Sequence, residues 1–107
     1  MDIQRVRNLT TDLLHTKIEH VYEDIEYIVG EKGIMTHMLP NANKALKKFL
    51  ESRLNDPKFW DGKFDVNHVG EVDMKPLTEE EKKEFWDIYA SYPHPFQRKN
   101  VVVAVID

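Results

Sequence analysis

Residues 40–54 read PNANKALKKFLESRL, and the spacing of their apolar positions predicts an amphipathic helix. The inner stripe consists of Ala42, Ala45, Leu46, Phe49 and Leu50. The opposite face carries the lysines that we expect in water, Lys44, Lys47 and Lys48. Pro40 suits the first helical turn because its missing N–H is not needed there, and Asn55-Asp56-Pro57 ends the helix.

Upstream of this helix, apolar residues recur at helical spacing from Ile3 to Ile28, which fits one long helix or two shorter ones. The polar stretch Thr10-Thr11-Asp12 and the N-cap-capable Thr16 favour a break. A second helix is then expected from about Lys17 to Val29. Gly30 suits the C-terminal cap of that helix because glycine readily adopts the left-handed conformation.

Downstream of the helix, the period of the apolar residues changes within the segment Phe59–Met74. Phe64 and Val66 alternate with charged residues, as do Val72 and Met74. This alternation predicts a β-hairpin. Next comes Thr78-Glu79-Glu80-Glu81, a capping box, which predicts a fourth helix from about Thr78 to Ser91.

The last apolar run, Val101 to Ile106, is unbroken and rich in β-favouring residues, which predicts a strand. We expect this strand to join the hairpin in a small antiparallel sheet that the helices cover on one face. The predicted fold class is therefore α+β. A length of 107 residues fits one core and is too short for two, so the prediction is a single domain over residues 1–107.

Composition narrows both the cellular setting and the class of function. The chain has no cysteine, which excludes a disulfide framework, a thiolate nucleophile and cysteine-type zinc sites. It shows neither a signal-peptide core nor an apolar run close to a membrane span in length, so we expect a cytoplasmic protein of bacterial type. The formal net charge of -4 opposes nucleic-acid binding through a broad basic surface.

Three stretches resemble a family of small uncharacterised phage and prophage proteins. They are Leu9-Thr10-Thr11-Asp12-Leu13-Leu14, the helix Val21–Ile28 with its glycine, and Thr36-His37-Met38-Leu39-Pro40-Asn41-Ala42. In that family a Thr-His-x-Leu-Pro element opens the helix that follows the glycine. This chain departs from the pattern at Asp12, where glycine is expected, and at Asn41, where a basic residue is common. The resemblance implies a phage or prophage origin and brings no established activity.

Thr36 and His37 are the first candidate binding residues. Together with the helix start at Pro40 they could present a hydroxyl, an imidazole and free N–H groups to a nucleotide or another small anion. The alternative is structural: the two side chains hydrogen-bond the connection shut and fix how the third helix leaves the second.

Tyr92-Pro93-His94-Pro95-Phe96 is the second candidate site, because two prolines hold two aromatic rings and an imidazole on a stiff extended backbone. Anchors on a pre-ordered backbone lose little freedom when a partner docks. Tyr92, His94 and Phe96 are therefore candidate partner-binding residues. The alternative is that the strip packs against the domain.

Catalytic and metal-binding signals are weak throughout the sequence. The pairs His15 with Glu19 and His20 with Asp24 have helical i, i+4 spacing, yet neither forms the His-Glu-x-x-His motif and no third ligand is indicated. The glycines form no phosphate-binding loop, and no serine lies in a nucleophile elbow. We therefore expect no catalytic residue, no metal site and no cofactor.

These observations lead to a ranking of functions. The first hypothesis is a small non-enzymatic phage accessory protein that binds a bacterial protein, as an inhibitor of a host or defence factor. The alternative is a small-ligand module that uses Thr36 and His37, and an enzyme comes third. An unpaired edge on the strand Val101–Ile106 would additionally invite a second copy and form a homodimer.

Overall fold

The computed structural model describes residues 1–93, which form four α-helices and two short 3-10 turns. The helices are α1 Ile3–Thr10, α2 Ile18–Val29, α3 Leu39–Arg53 and α4 Glu79–Ser91, and the 3-10 turns are Thr36–Met38 and Pro57–Trp60. Helix α3 contacts each of the other three helices and is the centre of the arrangement.

The break between α1 and α2 confirms the two-helix alternative. Asp12 adopts a left-handed φ of 62°, which turns the chain out of α1. Helix α2 begins one residue later than the capping residue Thr16 suggested, because Lys17 occupies the N-cap position. The Thr16 hydroxyl instead accepts a hydrogen bond from the Asn8 side chain and pairs with the His20 ring. Gly30 ends α2 with a φ of 79°, as predicted.

The predicted faces of α3 and the predicted cap of α4 are also confirmed. The five apolar residues of the α3 stripe are all buried. Lys44 and Lys48 are exposed, whereas Lys47 is half-buried because its ammonium binds the carboxylate of Asp12 at 2.7 Å. The capping box is reciprocal: the Thr78 hydroxyl accepts from the N–H of Glu81 at 3.2 Å, and the Glu81 carboxylate accepts from the N–H of Thr78 at 3.0 Å.

One cluster of buried apolar side chains joins all four helices and the segment between α3 and α4. It contains Ile3, Val6, Leu9, Ile25, Ile28, Val29, Ile34, Ala42, Ala45, Leu46, Phe49, Leu50, Leu54, Phe59, Met74, Leu77 and Phe85. Phe85 is the largest apolar side chain in this cluster with no exposed surface, and it anchors α4 against the rest. Apolar burial of this kind is the main stabilising term of a small domain.

The α+β prediction is wrong for the described part of the chain, which is helical. Residues 1–93 contain no strand and no sheet, and an isolated antiparallel bridge between Asp2 and Glu71 is their only β-type pairing. The predicted hairpin over Phe59–Met74 begins with the turn Pro57–Trp60 and continues as irregular chain. Phe64 and Val66 stay exposed, so their alternation does not mark a buried face.

The reason is that α1 and the residues before it satisfy the backbone of this segment. The Gln4 side-chain amide donates to the carbonyls of Asp65 at 2.9 Å and His68 at 2.7 Å. The ammonium of Met1 donates to the Val72 carbonyl at 2.7 Å, and the Val72 N–H returns a bond to Met1 at 2.9 Å. Backbone groups with such partners need no neighbouring strand.

Two further predictions concern the last strand with its homodimer and the location of the protein in the cell. The predicted strand Val101–Ile106, and the homodimer that it would form, lie outside the described residues. Within residues 1–93, no helix combines the length and the apolar character that a membrane crossing requires.

Candidate functional site

Most of the exposed large apolar side chains of residues 1–93 lie on two segments of the chain. Residues 1–93 expose eight large apolar side chains, and six of them lie on two segments. Three belong to the α1–α2 link and the start of α2, namely Leu13, Leu14 and Ile18, and three belong to the segment 61–70, namely Phe64, Val66 and Val69. We call these six residues the apolar surface and the segment 61–70 the Phe64 loop. Contiguous exposed apolar residues are typical of interaction sites.

The rings of His15 and Phe64 join the two segments. They stack with their centroids 4.7 Å apart and their planes at 24°. Residue 15 follows Leu14 directly, so the stack brings the α1–α2 link and the Phe64 loop into contact. The Phe64 ring remains largely exposed on its other side.

On the link side, the apolar surface borders a groove of about 280 Å³ between the starts of α2 and α3. Its lining residues are Asn8, Asp12, Leu13, Leu14, Ile18, Val21, Leu39, Pro40 and Asn43. The carboxylate of Asp12 fixes the link to α3, because it accepts from the Asn43 amide at 2.8 Å and from Lys47. The buried Asn8 side chain accepts from the N–H groups of His15 and Thr16 at 2.6 and 3.2 Å. The groove therefore has a fixed frame.

On the loop side, the frame is provided by Arg7, the largest side chain of the described chain with no exposed surface. All five guanidinium N–H groups have acceptors. Nε donates to His15 Nε2 at 3.2 Å; Nη1 contacts the Lys58 carbonyl at 2.7 Å and His68 Nδ1 at 2.8 Å; and Nη2 donates to Asp61 Oδ1 at 3.3 Å and to the Lys63 carbonyl at 2.6 Å. A buried arginine is tolerable only when it is paired in this way.

Local turns complete the shape of the Phe64 loop. The carboxylate of Asp61 accepts from the N–H of Lys63 at 2.9 Å, and that of Asp65 accepts from the N–H of Asn67 at 2.9 Å. The bond from Lys63 and, to a lesser degree, the charge of Arg7 hold the pKa of Asp61 below its ordinary value. The loop thus presents Phe64 and its apolar neighbours on a backbone that side-chain bonds define.

The predicted binding residues Thr36 and His37 lie in the 3-10 turn before α3. The exposed Thr36 pairs its hydroxyl with that of Tyr22 on α2 at 2.7 Å, while His37 is half-buried. This bond ties the connection to α2, in line with the structural alternative. Ligand binding at Thr36 and His37 stays a prediction.

The predicted strip at the end of α4 is described only as far as Pro93. Tyr92 is half-buried and packs against the core cluster, and the ammonium of Lys44 lies 5.8 Å from the centre of its ring. The Pro93 carbonyl accepts from the Asn41 amide at 3.1 Å. His94 and Phe96 lie outside the described residues, so their role in binding stays a prediction.

The helical pairs considered as metal ligands have other partners. Asp24 binds Arg5, and the rings of His15 and His20 are engaged by Arg7 and Thr16. Within residues 1–93, no three histidine or carboxylate side chains converge in a way that could hold a metal ion.

Sequence reasoning missed both Arg7 and the apolar surface. Arg7 stands four residues after Ile3 and three before Thr10, so helical spacing already places it on a buried face of α1. Four of its five acceptors are more than fifty residues away in sequence, and two of those four are backbone carbonyls, which leave no mark in the amino-acid pattern. The exposure of Phe64 and Val66 could not be foreseen once their alternation was interpreted as a hairpin.

Comparison with known proteins finds one matching protein family. Residues 1–60 match the family model described as Domain of unknown function (DUF7736). This match covers α1, α2, α3 and the turn Pro57–Trp60, and includes the whole groove. No curated protein and no solved structure matches the chain.

Proposed function

We propose that this chain, which belongs to the DUF7736 family of domains of unknown function, is a non-enzymatic binding protein of phage or prophage origin. It acts in the bacterial cytoplasm by binding a bacterial protein, as an inhibitor of a host or defence factor. The observation that carries this proposal is that six of the eight exposed large apolar side chains of residues 1–93 lie on two segments, which the stack of His15 on Phe64 joins.

The rigidity of the surface supports protein binding. Binding costs free energy whenever loops and side chains must be ordered, and a pre-ordered surface avoids much of that cost. Here the link is fixed by Asn8 and Asp12, and the Phe64 loop by Arg7 and Gln4. An aromatic anchor such as Phe64 beside aliphatic neighbours is typical of the residues that dominate interface energies.

The chemistry of the surface defines the partner. The groove is lined largely by apolar side chains, and the exposed Lys17 and Lys63 directly precede Ile18 and Phe64 in the chain. We therefore propose that the occupant is a short amphipathic segment of a bacterial protein, with apolar residues in the groove and against Phe64 and with carboxylates at its ends. Opposite charges at the rim of an interface mainly accelerate association.

The experiment is a capture from bacterial lysate with the purified chain as bait, followed by reconstitution with the purified partner. The test variant is Leu14→Ser with Phe64→Ser. The matched control is Tyr27→Ser with Met35→Ser, which removes the two exposed large apolar residues of the described segment 1–93 that lie outside the apolar surface. We expect the test variant to weaken the reconstituted complex by about tenfold or more, because interface anchors each contribute on the order of 1–2 kcal/mol, and the control to bind like the natural chain.

Two outcomes contradict the proposal. One is a partner bound equally by the natural chain and by the test variant, with both showing the same melting temperature. The other is a dimer in light scattering that the test variant dissociates, since the occupant would then be a second copy of this chain.

A further inference from the structure

Both histidines that contact Arg7 act as hydrogen-bond acceptors toward it. His68 is buried; its Nδ1 lies 2.8 Å from Nη1 of Arg7, and its Nε2 lies 3.2 Å from Oδ2 of Asp56. A guanidinium can only donate, so Nδ1 of His68 must accept and the ring proton is on Nε2, facing the carboxylate. The ring is therefore neutral in this arrangement.

His15 shows the same relationship with the opposite tautomer. Its Nε2 accepts from Nε of Arg7 at 3.2 Å and from the N–H of Asp65 at 3.2 Å. Its Nδ1 lies 2.9 Å from the Leu13 carbonyl, which can only accept, so the ring proton is on Nδ1. His15 thus bridges Arg7 and the backbone of the Phe64 loop only while its Nε2 carries no proton.

We infer that protonation of His15 and His68 loosens the Phe64 loop around Asp65, so that these two rings form a pH-sensitive latch, while Gln4 and Arg7 still hold the loop carbonyls of Asp65 and Lys63. A protonated imidazole has no acceptor nitrogen, and therefore each ring loses its bond to Arg7. Each also becomes a cation beside a fully buried guanidinium, where repulsion between like charges is much stronger than in water.

Two carboxylates near the latch oppose this repulsion. The charged groups around the latch are Arg7, Asp56 and Asp61, together with Lys58 and Lys63, whose charges act on these two carboxylates. Asp61 binds Arg7 and contacts neither ring. Asp56 faces the far side of His68 at 3.2 Å and its side chain is 44% exposed, whereas Arg7 lies closer, at 2.8 Å, and is buried. Water screens the exposed carboxylate more than the buried guanidinium, and Asp56 does not restore the bond to Arg7 that a protonated ring lacks.

The latch controls the segment that carries Phe64, because His15 and Arg7 bind the loop backbone at Asp65 and Lys63. Loss of the bond to His15 would free the N–H of Asp65 to exchange with water while leaving the α3 core in place. This inference does not depend on the proposed function, since it concerns only the attachment of the loop.

The experiment is hydrogen exchange of the full chain, followed residue by residue by NMR from about pH 7.5 to about pH 5, the range in which imidazoles titrate, with correction for the intrinsic rate. We expect the N–H of Asp65 to lose about tenfold or more of its protection as the pH falls through this range. Leu46 and Leu50 in α3 should keep theirs.

The test variant is His15→Gln with His68→Gln, because a glutamine oxygen can still accept from Arg7 and cannot be protonated in this range. It should remove the pH dependence, whereas the matched control His20→Gln should retain it, since His20 contacts Thr16 and not Arg7. Unchanged protection of Asp65 down to about pH 5, or an equal loss in the test variant, overturns the inference. If the test variant does not fold, the natural chain decides: a loop transition whose midpoint differs from that of both rings also overturns it.

Discussion

The guanidinium of Arg5 binds the carboxylate of Asp24 through two hydrogen bonds and thereby joins α1 to α2. Nε of Arg5 donates to Oδ2 at 2.9 Å and Nη2 donates to Oδ1 at 2.7 Å. Asp24 is buried and Arg5 is partly buried, so this pair is shielded from solvent. The bond to Asp24 is the largest of the effects that raise the pKa of Arg5. Two-point binding also fixes the relative orientation of the helices.

Replacing Arg5 with alanine is expected to lower the free energy of unfolding by about 2–4 kcal/mol, because it leaves the buried carboxylate of Asp24 without its cation. Urea denaturation measures the change. The matched control is Glu23→Ala, which removes the second carboxylate that Arg5 contacts; this group is 63% exposed, and its loss should cost at most about 1 kcal/mol. Equal losses in the two variants would show that burial of Asp24 does not govern the interaction.

Arg7→Met should be the most destabilising single polar-to-apolar change in α1, at about 3–5 kcal/mol. Methionine can fill part of the volume, yet it leaves the carbonyls of Lys58 and Lys63 and the ring of His68 without their donor. Thermal or urea unfolding measures the loss, and Lys17→Met on the exposed start of α2 should stay within about 0.5 kcal/mol. A loss below about 1 kcal/mol for Arg7→Met would contradict the network.

The contacts of Glu81 predict that part of the free energy of unfolding depends on pH in the acid range. Its hydrogen bonds with Arg53, at 2.6 and 3.0 Å, and with the N–H of Thr78 lower its pKa from 4.5 to about 2. A lowered pKa in the folded state means that the stabilisation is complete above pH 4.5 and disappears as the pH falls towards 2.

The variant Glu81→Gln tests this dependence. It should be less stable than the natural chain by about 1–2 kcal/mol near neutral pH, and the difference should shrink below pH 4.5 and vanish close to pH 2. Chemical denaturation at a series of pH values measures it. Glu80→Gln, an exposed neighbour in the same turn, should show only the smaller helix-dipole effect. A constant difference at all pH values would contradict the assignment.

Gly30→Ala should cost about 1–2 kcal/mol, because the C-cap of α2 has a φ of 79° and a left-handed backbone is unfavourable for residues with a Cβ. Space is not the cause: a Cβ here would meet only Lys82 Nζ, at 3.6 Å. Gly30→Asn should cost less, since asparagine tolerates this conformation better. Equal melting temperatures for the alanine variant and the natural chain would contradict a backbone origin of the effect.

Sequence reasoning succeeded where the signal is local. Helix α3 and its stripe, the break near Asp12, the cap at Gly30 and the capping box at Thr78 all depend on residues within four positions of each other. The hairpin failed because strand pairing depends on what else can satisfy the backbone. The Gln4 side chain donates to two carbonyls of that segment, more than sixty residues away in the sequence. The alternation of apolar and charged residues cannot reveal these contacts.

For the candidate site, the sequence indicated which residues could form hydrogen bonds, but not which groups they contact. Thr36 was foreseen as a hydrogen-bonding residue of the connection, and it bonds Tyr22. Arg7 could have been placed on the buried face of α1 by its spacing from Ile3. Its acceptors could not be predicted in this way. Every residue has a backbone carbonyl, and only the folded chain determines that those of Lys58 and Lys63 accept from Arg7.

The contacts of Arg7 extend beyond the part of the chain that matches the family model. The family match ends at residue 60, while the guanidinium draws three of its five bonds from Asp61, Lys63 and His68. A fragment cut at the match boundary would remove three of the five acceptors of Arg7 and would also lack Phe85. Truncated versions for biochemical work should therefore keep α4, even though the match stops well before it.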